Sequence, residues 1–217
     1  MNGRLGLLVV VLTLAPLLQG CKPEPVVVRE VTDDDLRAMA LRLDDLPPGF
    51  TVLSERLTDN ESFAKDFKEP ERIREMVDGW GRGAGFDSVF SSNGSADRPR
   101  FPALAASLVE RYPDVGRARQ RFIGAGDLLD QRQSQASKPA PVQVKAVRLT
   151  EEYAITRHYL TDDKGYEMVV YVVAFRKGAV FAEVRTAAPK HKDDRGEHAV
   201  RLAHLVHERV AKRLTDQ

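Results

Sequence analysis

The 217-residue chain contains one cysteine and one tryptophan, and only 7% of its residues are aromatic. A single thiol excludes an intrachain disulfide framework and a cysteine-rich zinc site. An excess of one charge is missing too: 33 Lys and Arg stand against 32 Asp and Glu, a formal net charge of +1. Without a basic field to hold a run of phosphates, a dedicated nucleic-acid binder is not expected. No apolar run reaches the roughly 20 residues that span a bilayer. What is present is an ordinary globular composition, 42% hydrophobic and 30% charged, in a length suited to one domain with a sizeable core.

The N-terminus is the most specific segment. Met1-Asn2-Gly3-Arg4 carries one positive charge, and Leu5 to Leu18 carries none. That run, interrupted by Pro16, fits the apolar region of a signal peptide better than a permanent span. It ends in Leu18-Gln19-Gly20-Cys21, on the only Cys of the chain. The segment resembles a bacterial lipoprotein precursor, with leucine three residues before the Cys and a small residue directly before it; Gln19 is a less usual second position. The resemblance implies cleavage after residue 20 and a lipidated Cys21, carrying a thioether-linked diacylglycerol and an N-acyl chain. It also implies an extracytoplasmic protein anchored to the cell membrane or the outer membrane, with the membrane as partner through those acyl chains. Each buried methylene adds about 0.8 kcal/mol, so two or three chains make a stable anchor. The competing readings are an ordinary signal peptide followed by a buried Cys, or an anchor helix. Loss of residues 1–20 removes only Arg4 and leaves a formally neutral chain, so charge is not expected to hold it to anionic headgroups.

The expected organisation is a signal peptide at 1–20, a lipid-anchored tether at 21–32, and a single α+β domain at 33–217 with a possible hinge at 131–141. Pro23 and Pro25 keep the tether extended, and Val26 to Val28 has the composition of an edge strand. Thr32 before Asp33, Asp34 and Asp35 reads as a helix start, and Leu36, Met39, Ala40 and Leu43 share a face that Pro47-Pro48-Gly49 must end. A strand is expected at Thr51 to Thr58, and a helix from Pro70 bearing Ile73, Met76 and Val77. A strand with alternating Phe86, Ser88 and Phe90 follows, then another at Ala103 to Tyr112. Asp114 should cap a helix burying Ala118, Phe122, Ala125 and Leu129. Four β-rich runs come next, Val142 to Leu149, Tyr153 to Leu160, Tyr166 to Phe175 and Ala179 to Thr186, an antiparallel meander. A long helix from about Asp194 to Leu214 buries Ala199, Leu202, Ala203, Val206, Val210 and Leu214. The class is therefore α+β: a mostly antiparallel sheet with a C-terminal four-strand meander, packed against a long C-terminal helix and a second, central helix. In order of elements it is similar to the Mog1/PsbP-like class and to secreted sensor-type lipoprotein domains. Such likeness carries no function.

Catalytic and cofactor signals are sparse. Gly79, Gly81, Gly83 and Gly85 cluster, but a phosphate loop needs glycine where Ala84 stands and a strand before it, so a flexible turn is preferred and no cofactor is expected. No serine sits in a nucleophile elbow. His198, His204 and His207 lie on the last helix, with His191 before it. His204 and His207 are three apart, so their rings can share a helix face, as two metal ligands would have to, yet His-Leu-Val-His-Glu is no zinc-peptidase pattern. A solvated polar face among Arg201, Glu208 and Ala211 is the preferred reading, with no metal. His158 reads as a half-buried strand residue. The acidic pairs Asp44-Asp45, Glu151-Glu152, Asp162-Asp163 and Asp193-Asp194 read as turn solvation and capping. Trp80, Phe86, Phe90, Tyr153, Tyr159, Tyr166, Tyr171, Phe175 and Phe181 are core candidates that would also suit an apolar pocket. The functional expectation is a non-catalytic binding, sensing or envelope-assembly module that contacts an envelope protein. The alternatives are a carrier of a small apolar ligand in a sheet-helix cleft, and an enzyme in which His158 meets Glu151 or a serine.

Overall fold

A computed structural model describes residues 30–92, 103–125, 128, 140–141, 152–161, 167–190 and 196–215. The signal peptide, Cys21, the tether up to residue 29, hinge residues 131–139 and the strand expected at 142–149 lie outside the described residues. The elements are α1 (Asp33–Met39), a 3-10 turn (Leu43–Asp45), β1 (Phe50–Thr58), α2 (Asn60–Ala64), α3 (Pro70–Gly79), β2 (Ala84–Ser92), β3 (Leu104–Arg111), α4 (Val115–Ile123), β4 (Ala140–Pro141), β5 (Glu152–Thr161), β6 (Glu167–Lys177), β7 (Val180–Pro189) and α5 (Glu197–Thr215).

The strands form one sheet in the order β1-β2-β3-β7-β6-β5-β4, every neighbouring pair antiparallel. β5, β6 and β7 are three consecutive strands of the expected C-terminal meander, β4 (two residues, ahead of the strand expected at 142–149) flanks them, and β7 pairs with β3 to join them to the N-terminal half. The protein is an α+β fold of one mixed-length antiparallel sheet with helices on both faces. No helix among the described residues is long and apolar enough to cross a membrane.

Local chemistry sets the helix boundaries. Thr32 and Asp35 form a reciprocal capping box, Thr32 Oγ1 accepting from Asp35 N–H at 3.2 Å and Asp35 Oδ2 accepting from Thr32 N–H at 3.0 Å. Pro70 occupies the first turn of α3, where its missing N–H has no helical partner to lose. Asp114 caps α4 as expected by accepting from Arg117 N–H at 2.8 Å. Two elements differ from expectation. α1 ends at Met39 rather than running to Leu43, because Ala40 turns extended and the next N–H, that of Leu41, is taken by Ser107 Oγ at 2.9 Å. α2 has no strong apolar period and was not foreseen; Asp59 caps it by accepting from Ser62 N–H at 2.7 Å.

The sheet has two unlike faces. α1 and α5 cover one, over Phe86, Phe90, Ala105, Val109, Val169, Tyr171, Val173, Phe175, Ala182 and Val184, and α5 contributes Ala199, Leu202, Ala203, Val206 and Val210, all as its periodicity required. α2, α3 and α4 cover the other, with Phe63, Ile73, Val77 and Leu108 in one apolar cluster and Tyr112, Ala118, Ala125, Ala174 and Phe181 in a second. α4 buries Leu128 beyond its end; Leu129, the residue expected there, is outside the described residues.

Candidate functional site

The densest chemistry in the described structure is a buried charge cluster on the α2–α4 face. Glu110, the next-to-last residue of β3, is fully buried. Its Oε1 accepts from Arg82 Nε at 2.6 Å and its Oε2 from Arg121 Nε at 2.7 Å; the Tyr112 hydroxyl donates to Oε2 at 3.2 Å. Arg82 leaves the turn after α3 and also donates to the Thr58 carbonyl (3.1 Å), Thr58 Oγ1 (2.7 Å) and Asn60 Oδ1 (3.1 Å). Its guanidinium lies 4.4 Å from the centre of the Phe63 ring, while that of Arg121 lies 4.0 Å from Phe181.

Two glycines make the cluster possible. Gly81 adopts φ 71°, a left-handed turn that brings Arg82 back beneath α3. Gly85 faces the Arg82 guanidinium, and a Cβ there would overlap Arg82 Nη2. The glycine-rich stretch is thus a tight, hydrogen-bonded turn, with Gly81 N–H donating to the Asp78 carbonyl at 2.8 Å and Arg82 N–H to the Val77 carbonyl at 3.0 Å, rather than the flexible one expected. An isolated glycine inside a strand signals close approach of a neighbouring group, and that was the available clue to Arg82.

Further charges extend the network across the sheet. Arg185 Nε sits 3.0 Å from Glu183 Oε1 as an ion pair without hydrogen-bond alignment, and Arg185 Nη2 is 3.6 Å from Asp87 Oδ1. Arg56 on β1 pairs with Asp66 and lies 3.8 Å from Asp87. Burial alone would raise the Glu110 carboxyl, but the Arg121 and Arg82 guanidiniums outweigh it and hold the group below its ordinary range. Burial, reinforced by the Glu110 charge, pushes the Tyr112 hydroxyl well above its ordinary value and keeps it protonated. The carboxylate is ionised, the phenol is neutral, and their polar atoms point at one another. Such a network clamps β1, β3, α3 and α4 together; it does not offer a proton or a nucleophile to solvent.

The sequence candidates fall elsewhere. Cys21, His191, Tyr166, Glu151 and the pairs Asp162-Asp163 and Asp193-Asp194 lie outside the described residues. His158 is buried rather than half-buried, and its Nε2 lies 3.1 Å from Thr156 Oγ1. His198 is half-buried in the first turn of α5. His204 and His207 do not stand on a solvated face: both are half-buried with interior Nε2 atoms that make no hydrogen bond. The His207 ring meets Phe175 edge-on, with centroids 5.4 Å apart. Position 207 is one turn from Ala203 and flanks the apolar stripe, so contact with β6 draws it in. Burial, aided by Lys177, lowers its ionisation below the ordinary histidine value. Among the described residues no three His, Cys, Asp or Glu side chains gather as a metal site.

Two acidic residues read as turn solvation are instead ties. Asp45 makes a paired contact with Arg209 of α5, Oδ1 to Nη2 at 2.5 Å and Oδ2 to Nη1 at 2.7 Å, while Arg209 Nη1 also donates to the Ala40 carbonyl at 2.8 Å. Glu152 starts β5 and meets Arg176 at 2.7 Å and Arg119 at 3.0 Å. The aromatics divide between the two faces: Phe86, Phe90, Tyr153, Tyr159, Tyr171 and Phe175 belong to the α1/α5 core, Trp80 and Phe181 to the opposite one.

The fold and this clamp define an antiparallel α+β domain with apolar packing on both sheet faces and a buried charge cluster on one of them. No family model matches the chain, and no curated protein matches it. Its architecture is similar to that of the extracellular domain of PknH from Mycobacterium tuberculosis, at 10% sequence identity and a TM-score of 0.54, covering 88% of this chain and 100% of that one. At that identity the likeness is one of fold.

Proposed function

We propose that this protein is a lipid-anchored, extracytoplasmic, non-catalytic module that binds, senses or assembles at the cell envelope. One observation carries the reading: the only Cys of the chain stands at position 21, directly after an uncharged run and the residues Leu18-Gln19-Gly20. Acyl chains on Cys21 hold the protein to the membrane, and the domain that begins near Thr32 works beside it, on an envelope protein. The PknH extracellular domain supports this reading as an example of the same architecture placed outside a cell. The inward-directed Glu110 cluster supports a binding module over an enzyme, because its charges are spent on the fold.

The test is metabolic labelling with a palmitate analogue, followed by membrane flotation of wild type and Cys21→Ser. Wild type is expected to take up label and float with membranes; Cys21→Ser is expected to lose the label and to be released or remain unprocessed. A Cys21→Ser protein that fractionates and migrates like wild type refutes the anchor.

A further inference from the structure

Six large apolar side chains are exposed among the described residues, and four of them lie together at one edge of the sheet: Leu53 (61%), Val52 (46%) and Leu57 (39%) on β1, and Leu43 (39%) in the 3-10 turn that packs on it. Among the described residues β1 is a terminal strand, paired with β2 alone. A free strand edge flanked by apolar groups normally invites another strand. This edge is defended against that. The register with β2 slips between Val52 and Ser54, an irregularity at Leu53, and Glu55 and Arg56 follow directly. A bulge and central charges obstruct strand addition. They do not obstruct a lipid surface, where charged side chains reach the headgroups and strand-edge amides find water while leucine and valine enter the acyl boundary.

The chain's entry into the domain lies level with the Thr58 end of β1, beside Leu57 and about 17 Å along the strand from Leu53. Arg111, the last residue of β3, donates to the Val31 carbonyl at 2.8 Å and pairs with Asp33 at 2.8 Å. Arg111 is level with Ala84, and the neighbouring Gly85 pairs with Thr58 at the end of β1. Two strand spacings, about 10 Å, therefore separate the entry point from β1. Residues 22–30 extend at most about 30 Å, so a lipid on Cys21 keeps this edge within reach of the bilayer. The mature chain is formally neutral, so the contact is apolar in character.

We infer that the β1 edge, through Leu43, Val52, Leu53 and Leu57, docks onto the surface of the bilayer that holds the anchor. This inference rests on the lipidation of Cys21 proposed above. Val115 (51%) and Ile123 (72%) on α4 are the built-in control, since α4 lies over β6 and β7 on the opposite sheet face.

With Cys21 acylated, a Leu53→Cys variant has one free thiol for a fluorescent label. Full-length labelled protein is anchored in phosphatidylcholine vesicles carrying nitroxide-labelled acyl chains, in parallel with Ile123→Cys. Labels at 53 are expected to be quenched several-fold more strongly than labels at 123. A Leu43→Cys reporter is expected to lose its quenching when Val52, Leu53 and Leu57 are all changed to Ser, with the thermal midpoint unchanged. Equal quenching at 53 and 123 in protein that floats with the vesicles overturns the docking and leaves the anchor standing. Protein that does not float overturns the anchor, and the docking with it.

Discussion

The two faces of the sheet solve the same problem by different chemistry. On the α1/α5 face, α5 lays Ala199, Leu202, Ala203, Val206 and Val210 on Val173, Phe175, Ala182 and Val184, and the residues are interchangeable in kind if not in shape. On the α2–α4 face, Glu110 is held by two guanidiniums from separate elements, and no member can be exchanged alone. Apolar burial is non-directional and scales with area, so it degrades by degrees. A buried ion triad is repaid only when every partner is in place, so it fails all at once.

The largest expected effect therefore belongs to the polar face. Glu110→Ala strands two buried guanidiniums and should cost about 4 kcal/mol, most of the stability of a domain at the low end of the ordinary range, read as a strongly lowered urea midpoint. Replacing the whole triad, as Arg82→Met, Glu110→Leu and Arg121→Met together, should restore most of that loss. If the triple variant is no more stable than Glu110→Ala, the faces do not differ in the way argued. Leu202→Ala on the apolar face should cost about 3 kcal/mol, read as a lowered urea midpoint with an unchanged slope. Unlike Glu110→Ala, it should be partly repaired by Met at the same position.

The smallest effect concerns His207, a titratable ring packed at the margin of the apolar face. Its folded value lies below the ordinary 6.5, so the unfolded chain binds more protons as the pH drops. The resulting stability is present above 6.5 and is lost as the pH falls from there through the lower folded value. His207→Gln should flatten this part of the curve; a wild-type and variant pair with parallel stability between pH 7 and pH 5 would count against a buried neutral ring.

The same contrast explains what was legible beforehand. The α5 stripe, the meander and the capping residues Thr32 and Asp114 each leave a local pattern, a period or a neighbour three residues away. α2 is too short to show a period. His204 and His207 looked solvated because a helical wheel gives angle and not the width of the surface packed against it. Asp45 looked like turn solvation because its partner, Arg209, is 164 residues away.

The linear chain by itself determined the alternation of elements, since a capping box and an amphipathic repeat are both short-range features. It also determined which side of α5 faces inward. Tertiary structure alone decided that Arg82 and Arg121, separated from Glu110 by 28 and 11 residues, would converge on one carboxylate. The reason is physical: an apolar residue is satisfied by any apolar neighbour, so its pattern can be read locally, whereas a buried charge needs a particular partner whose place depends on strand register and on a glycine that leaves room for it.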